Sequence, residues 1–251
     1  MKRVAAFLSL ALLSFGMPPA KKIKVWLVGD STCANKEVRA YPETGWGMPF
    51  SSFFDSTITV DNRAKNGRST KSFRAEGLWA PVLNQLSEGD YVFLQFGHND
   101  EGKEKVGRYT TPEEFKANLL QYVMEARAKK ALPVLLTPVA RRTFDANGNV
   151  TESHPVYSDV VRAVAREAQV PLIDLDAQSM ALLQSMGKDA SAYLYNHLAP
   201  GEHPNYPDGR SDDTHFNELG ARKMAGLVLA GIRELKLGLA DHISKPVAKK
   251  P

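Results

Sequence analysis

The chain has 251 residues, a length that suits one large domain. With 43% hydrophobic and 24% charged residues it has a globular composition, which excludes disorder as its main state. Its formal charge of +4 includes Lys2 and Arg3 and leaves no basic stripe, so nucleic acid is not an expected partner.

Lys2 and Arg3 are followed by an apolar run over residues 4–15, then by Gly16 and Pro18-Pro19-Ala20. That order is the pattern of a secretory signal peptide over residues 1–20, and twelve apolar residues are too few to span a bilayer. Export to the periplasm or the medium is therefore expected, with no membrane association after cleavage. Residues 21–240 read as a single domain and 241–251 as a basic tail. Cys33 is the only cysteine, so the domain must hold together without a disulfide, and Cys33 itself reads as a small core residue.

Short apolar runs at 23–28, 57–60, 91–96, 132–137 and 170–175 predict five strands buried on both faces of a parallel sheet. Between them the spacing predicts helices over 111–130, 155–168 and 217–235. The first opens on Thr111-Pro112-Glu113-Glu114 and carries Phe115, Leu119, Tyr122, Val123 and Ala126 on one face. The second carries Val156, Val160, Val164 and Ala168, and the third Leu219, Met224, Leu227 and Ile232. Asn147-Gly148 predicts a turn or small hairpin. Residues 188–211 read as a long loop of the kind that often serves function. Strand–helix alternation of this length predicts a three-layer α/β/α sandwich around a five-stranded parallel sheet.

In such a sheet the site lies beyond the carboxyl ends of the strands. Four polar clusters fall there: Gly29-Asp30-Ser31-Thr32, Asn66-Gly67-Arg68-Ser69, Gly97-His98-Asn99-Asp100 and Asp212-Asp213-Thr214-His215. Ser31 needs a base to act as a nucleophile, and His215 can supply it if a carboxylate holds its other ring nitrogen. Asp212 stands three residues earlier, with Asp213 as the fallback. An oxyanion needs donors, and the N–H groups of Ser31 and Gly67 with the Asn99 amide are suitable types. Alone, each is weak, since a serine after a strand is more often a helix cap. Their conjunction carries the signal.

The same blocks resemble those of the SGNH (GDSL-type) hydrolases over residues 23 to about 236. Within that superfamily, GDSTCANK, YPETGWG at 41–47, NRAKNGRSTKSF at 62–73, LQFGHND at 94–100 and SDDTHFNELGA at 211–221 resemble rhamnogalacturonan acetylesterases. The resemblance implies a flavodoxin-like fold, Ser31 as nucleophile, Gly67 and Asn99 in the oxyanion hole, and Asp212 with His215 completing a triad. It also implies a cofactor-free serine esterase that removes acetyl groups from pectic polysaccharide or oligosaccharide.

Less specific signals surround these. Trp46, Tyr193, Tyr195 and Tyr206 are candidates to stack on sugars, Arg68 and Arg142 to meet a uronate carboxylate, and His98 to line the pocket. Asp30 reads as a turn cap. The acids and histidines show no metal-ligand spacing. Three other readings stand beside the leading one: a lipid esterase or thioesterase on the same scaffold, an acetylxylan esterase, and a binding protein that keeps the fold without catalysis.

Overall fold

Each of the five apolar runs forms a strand: β1 (Ile23–Gly29), β2 (Ile58–Asn62), β3 (Tyr91–Gln95), β4 (Leu132–Leu136) and β5 (Leu172–Ile173). They pair in parallel in the order β2-β1-β3-β4-β5. The structure, a computed structural model, describes residues 22–244. The expected signal peptide over 1–20 and the tail from 245 onward lie outside the described residues. Packing continues past the expected boundary at 240, where Ile243 bridges Phe54 and both side chains are buried.

Among the described residues, seven α-helices accompany the sheet: α1 (Gly47–Phe50), α2 (Thr70–Ala75), α3 (Trp79–Gln85), α4 (Pro112–Ala128), α5 (Pro155–Glu167), α6 (Leu175–Ser191) and α7 (Glu218–Glu234). The strands' period of two divides the core. Val25, Leu27, Tyr91, Phe93, Val134 and Leu136 pack towards α1, α6 and α7. Trp26, Val28, Val92, Leu94 and Leu135 pack towards α2 to α5. Side chains this fully buried each contribute about 2 kcal/mol through apolar transfer, enough for the sheet to hold without covalent staples. The result is the three-layer α/β/α sandwich.

Helix α4 begins where its cap predicts. Thr111 accepts from the Glu114 N–H while the Glu114 carboxylate accepts from the Thr111 N–H, and its five expected core residues are buried. The other two expected helices are present, and each keeps most of its expected face while losing its first expected residue to solvent. In α5, Val164 is buried and Val160 and Ala168 are partly buried as expected, whereas Val156 is 53% exposed and Tyr157, Val161 and Ala165 complete the inner face. In α7, Met224 and Ile232 are buried and Leu227 is partly buried as expected, whereas Leu219 is exposed and Gly220, Ala221, Ala225 and Val228 complete the inner face. A face of small residues lets α7 lie close, which a search for large apolar residues passes over. Asp174 caps α6, so β5 is cut to two residues. Because α6 runs to Ser191 and Ala192–Leu194 adds a 3-10 turn, the expected loop starts only near 195. Asp145 and Asn149 close the expected turn around Gly148, with Phe144 bridged to Val150.

From β1 the chain steps outward to β2, then crosses back to β3 on the other side of β1. The order reverses between β1 and β3, and a crevice opens at their carboxyl ends. Gly29 of β1 sits opposite Gln95 of β3. Ser31 and Asn99 therefore leave the sheet side by side.

Candidate active site

Ser31 follows β1 in a tight turn held from below. The Cys33 and Ala34 N–H groups donate to the Asp30 carbonyl, and the Thr32 N–H and hydroxyl donate to the Asp30 carboxylate. Gln95 Nε2 donates to Thr32 Oγ1 at 2.7 Å, and Trp46 Nε1 donates to Gln95 Oε1 at 2.5 Å. Asp30 is wholly buried. Burial pushes its carboxyl up, against the pull of the Thr32 hydrogen bonds. Asp30 thus has the capping role expected of it.

Trp46 corrects an expectation. It is 1% exposed and stands edge-on to Phe50, so it cannot present a face to sugar; it supports the serine turn from inside. The segment that carries it must come very close, since a Cβ on Gly45 would lie 2.1 Å from the Ala34 carbonyl oxygen. Only glycine fits there.

The segment before α7 brings the base. Asp212 Oδ1 accepts from the Thr214 and His215 N–H groups, closing a turn that swings the imidazole back over its own carboxylate. His215 Nδ1 lies 2.9 Å from Asp212 Oδ2, and His215 Nε2 lies 2.9 Å from Ser31 Oγ. Burial pushes the Asp212 carboxyl up, but the His215 contacts and the Arg210 guanidinium at 2.7 Å outweigh it and hold it well below the usual range. Asp213, the fallback, is engaged elsewhere, by Arg142 and His197.

Gly67 takes φ +74° in the turn after β2, a conformation that favours glycine. Among the described residues the Ser31 and Gly67 N–H groups have no acceptor. Asn99 Nδ2 gives one hydrogen to the Arg68 carbonyl at 3.2 Å, which leaves its second for another acceptor. The three donors expected of an oxyanion hole are therefore each open to an acceptor.

The structure also brings in residues the sequence reading missed. Lys36 Nζ meets Ser31 O, Asn66 Oδ1 and Glu43 Oε1, binding the serine turn to the Gly67 turn. Asp100 accepts from the Thr70 N–H and hydroxyl and from the Thr110 hydroxyl, which anchors the start of α2 behind Gly67. The adjacency of Asp100 to Asn99 was the one available signal.

The structure places the remaining candidates as follows. The Arg68 guanidinium is held by Glu76 and by the Asn66 carbonyl. Arg142 is held by Asp213, Ser191 and the Lys188 carbonyl. His98 is buried against His154, 4.2 Å between ring centres, with neither ring nitrogen hydrogen-bonded, and it lines a cavity with Lys105, Arg141 and Ser153. Burial, with nearby His154 and Arg141, holds it well below its ordinary pKa. Tyr195 is buried on Phe216, and the Tyr206 hydroxyl donates to the Ala40 carbonyl. Tyr193 alone of these aromatics is widely exposed, at 75%.

A serine, imidazole and carboxylate in hydrogen-bonded series at the switch point of a doubly wound sheet define a class: an α/β/α serine hydrolase. Residues 27–223 match the GDSL-like lipase/acylhydrolase family, and the chain belongs to it; it is a carboxylic ester hydrolase. It is 42% identical over 223 residues to rhamnogalacturonan acetylesterase RhgT of Bacillus subtilis (strain 168), covering 89% of this chain and 95% of that one. It is 38% identical to probable rhamnogalacturonan acetylesterase YesY of the same organism, covering 88% and 97%. The crystal structure of protein YxiM from Bacillus subtilis superposes with a TM-score of 0.76 at 28% identity. That match covers 88% of this chain and 59% of the YxiM chain.

Proposed function

We propose that this enzyme removes O-acetyl groups from a rhamnogalacturonan-like pectic polysaccharide through an acetyl-Ser31 intermediate. The observation that carries the mechanism is the unbroken series Ser31 Oγ, His215 Nε2, His215 Nδ1 and Asp212 Oδ2, with both contacts at 2.9 Å. The likeness to two relatives named for rhamnogalacturonan supports the substrate.

Ser31 Oγ attacks the acetyl carbonyl as His215 Nε2 takes its proton, and the negative charge on the carbonyl oxygen is met by the Ser31 and Gly67 N–H groups and the free Asn99 hydrogen. His215 then gives that proton to the departing sugar oxygen. Water attacks the acetyl-Ser31 carbonyl, with His215 again accepting the proton, and acetate leaves as Ser31 Oγ is reprotonated. Asp212 fixes the tautomer and steadies the imidazolium without taking the proton itself. The mechanism calls on no cofactor. Export, on the pattern of residues 1–20, would bring the enzyme to its polymer.

Acetate release from acetylated pectin is the test. Ser31→Ala lowers turnover by roughly a millionfold with the fold intact by circular dichroism. Turnover in that variant close to wild type would overturn the mechanism. Release from acetylated xylan but not from pectin would overturn the substrate alone.

A further inference from the structure

The segment between β3 and α4 leaves the sheet just after Asn99 and is closed at its base by Asp100 and Thr110, whose N–H donates to the Asp100 carbonyl at 3.0 Å. Inside it, the Arg108 and Tyr109 N–H groups both donate to the Lys105 carbonyl. These turns set two cations beside the oxyanion donors. Lys105 Nζ lies 3.4 Å from the carbonyl oxygen of His98, the residue before Asn99. The Arg108 guanidinium lies over Gly67, where an added Cβ would be 3.0 Å from Nη1 and 3.5 Å from Nη2.

Other cations around the site are already paired: Arg68 with Glu76, Arg142 with Asp213 and Arg210 with Asp212. Among the described residues, Lys105 and Arg108 are in no ion pair with a carboxylate. A solvated lysine or arginine on a surface loop would need no further account, but a second observation sets this loop apart. Lys105 shares a cavity of about 320 Å³ with His98, Arg141, Glu101, Glu104 and Ser153, a size within the range of ligand pockets. Two of its side chains keep polar atoms without a partner. Arg141 gives Nη2 to Glu101 but keeps a buried Nε–H without an acceptor. His98 is 4% exposed and neither ring nitrogen has a partner. Glu101 is occupied twice, by Arg141 and by His154. Buried donors left open in this way call for an acceptor from outside the chain.

We propose that Lys105 and Arg108, backed by the Arg141 cavity, form a carboxylate subsite that reads a uronate residue beside the acetyl ester. This rests on the pectic reading above, because a galacturonan carries a carboxylate on its uronate rings and a xylan backbone does not. The guanidinium suits such a group, since its planar fork matches both carboxylate oxygens. With Arg108 over Gly67 and Lys105 beside the His98–Asn99 peptide, a bound carboxylate lies next to the acetyl carbonyl held by those same donors. The subsite thus selects the sugar while the serine performs the chemistry.

The experiment compares kcat/KM on an acetylated oligogalacturonide with free carboxylates and on the same compound fully methyl-esterified. The readout is the ratio of the two, which cancels any general loss of activity. Wild type prefers the free acid by about tenfold at low salt, as expected of two partly solvated cations. Arg108→Gln combined with Lys105→Gln brings the ratio close to one, each single variant lies between, and added salt erodes the wild-type preference. A wild-type ratio near one, or a ratio unchanged in the double variant, would overturn the subsite while leaving the pectic substrate standing. Failure of wild type on both compounds, with acetylated xylan hydrolysed, would overturn both.

Discussion

The Lys36 ammonium donates a 2.6 Å hydrogen bond to the carbonyl oxygen of Ser31. Its side chain is 2% exposed, and it also reaches Asn66 Oδ1 at 2.9 Å and Glu43 Oε1 at 2.7 Å. One buried cation therefore fixes the serine turn, the Gly67 turn and the 41–47 segment relative to one another. Lys36→Met leaves the Glu43 carboxylate without a counter-ion, and breaking a buried pair from one side costs about 3 kcal/mol. Urea unfolding will show that loss, and kcat will fall more than KM rises, because the groups that shift act on the reacting carbonyl. Adding Glu43→Gln recovers part of the stability, since no unpaired charge then remains.

Asp212→Asn separates orientation from proton transfer. The neutral amide cannot stabilise the imidazolium, and kcat drops by about 10⁴ with KM little changed. The stability effect has a definite sign. The native carboxyl is held well below its ordinary value, so its stabilisation is present above about pH 4 and is lost as the pH falls further. Wild type is therefore the more stable at neutral pH, and the two unfolding midpoints converge in acid. A gap independent of pH would show that the carboxylate contributes nothing by its charge.

Ser31 and Asn99 were legible because they follow short apolar runs that the sheet buries on both faces, and the Asp212–His215 pair because a carboxylate stands three residues before a histidine. Asp212 was separable from Asp213 because only the three-residue offset lets a turn fold the imidazole onto the carboxylate. What escaped depends on contacts between distant segments. Trp46 looks like a sugar platform until Gln95, far along the chain, is seen to take its N–H. Lys36 looks like a surface residue until Glu43 and Asn66 converge on it. Leu219 was placed inside because size was weighed above the close approach that glycine and alanine allow in α7, and Val156 because its neighbour Tyr157, which takes the inner position in α5, was not read as core. Arg68 and Arg142 were plausible carboxylate ligands by charge alone, and Glu76 and Asp213 had already claimed them.

Gly67→Ala tests the oxyanion turn. At φ +74° an alanine is strained by about 1 kcal/mol, and its Cβ would press on the flexible end of Arg108 rather than on backbone. The fold should survive. The N–H that faces the developing oxyanion is displaced as the turn relaxes, and losing one such donor costs about 10² to 10³ in kcat. Differential scanning calorimetry should show a drop in Tm of a few degrees, far too small for unfolding to explain the kinetic loss.

Asp100 supplies the pH dependence. Burial pushes its carboxyl up to about 7, against the Thr70 and Thr110 hydrogen bonds that favour the charged form. The native state therefore keeps a proton that the unfolded chain releases above its ordinary value of 3.8. Stability falls as the pH rises between about 4 and about 7, and levels off above that window. Asp100→Asn keeps the acceptor oxygen for Thr70 and Thr110 but cannot ionise, so its stability does not carry this slope. Urea midpoints across the window should move in the variant's favour as the pH rises; parallel curves would mean that Asp100 is ionised throughout. Asp100→Leu differs, because it strips the acceptor from the Thr70 N–H and hydroxyl and from the Thr110 hydroxyl. Leaving buried donors unpaired costs about 1 to 3 kcal/mol each, and the start of α2 behind Gly67 loosens with them. In that variant kcat falls together with stability, whereas in Asp100→Asn it is largely kept, and the contrast assigns to Asp100 the task of holding the oxyanion turn in place.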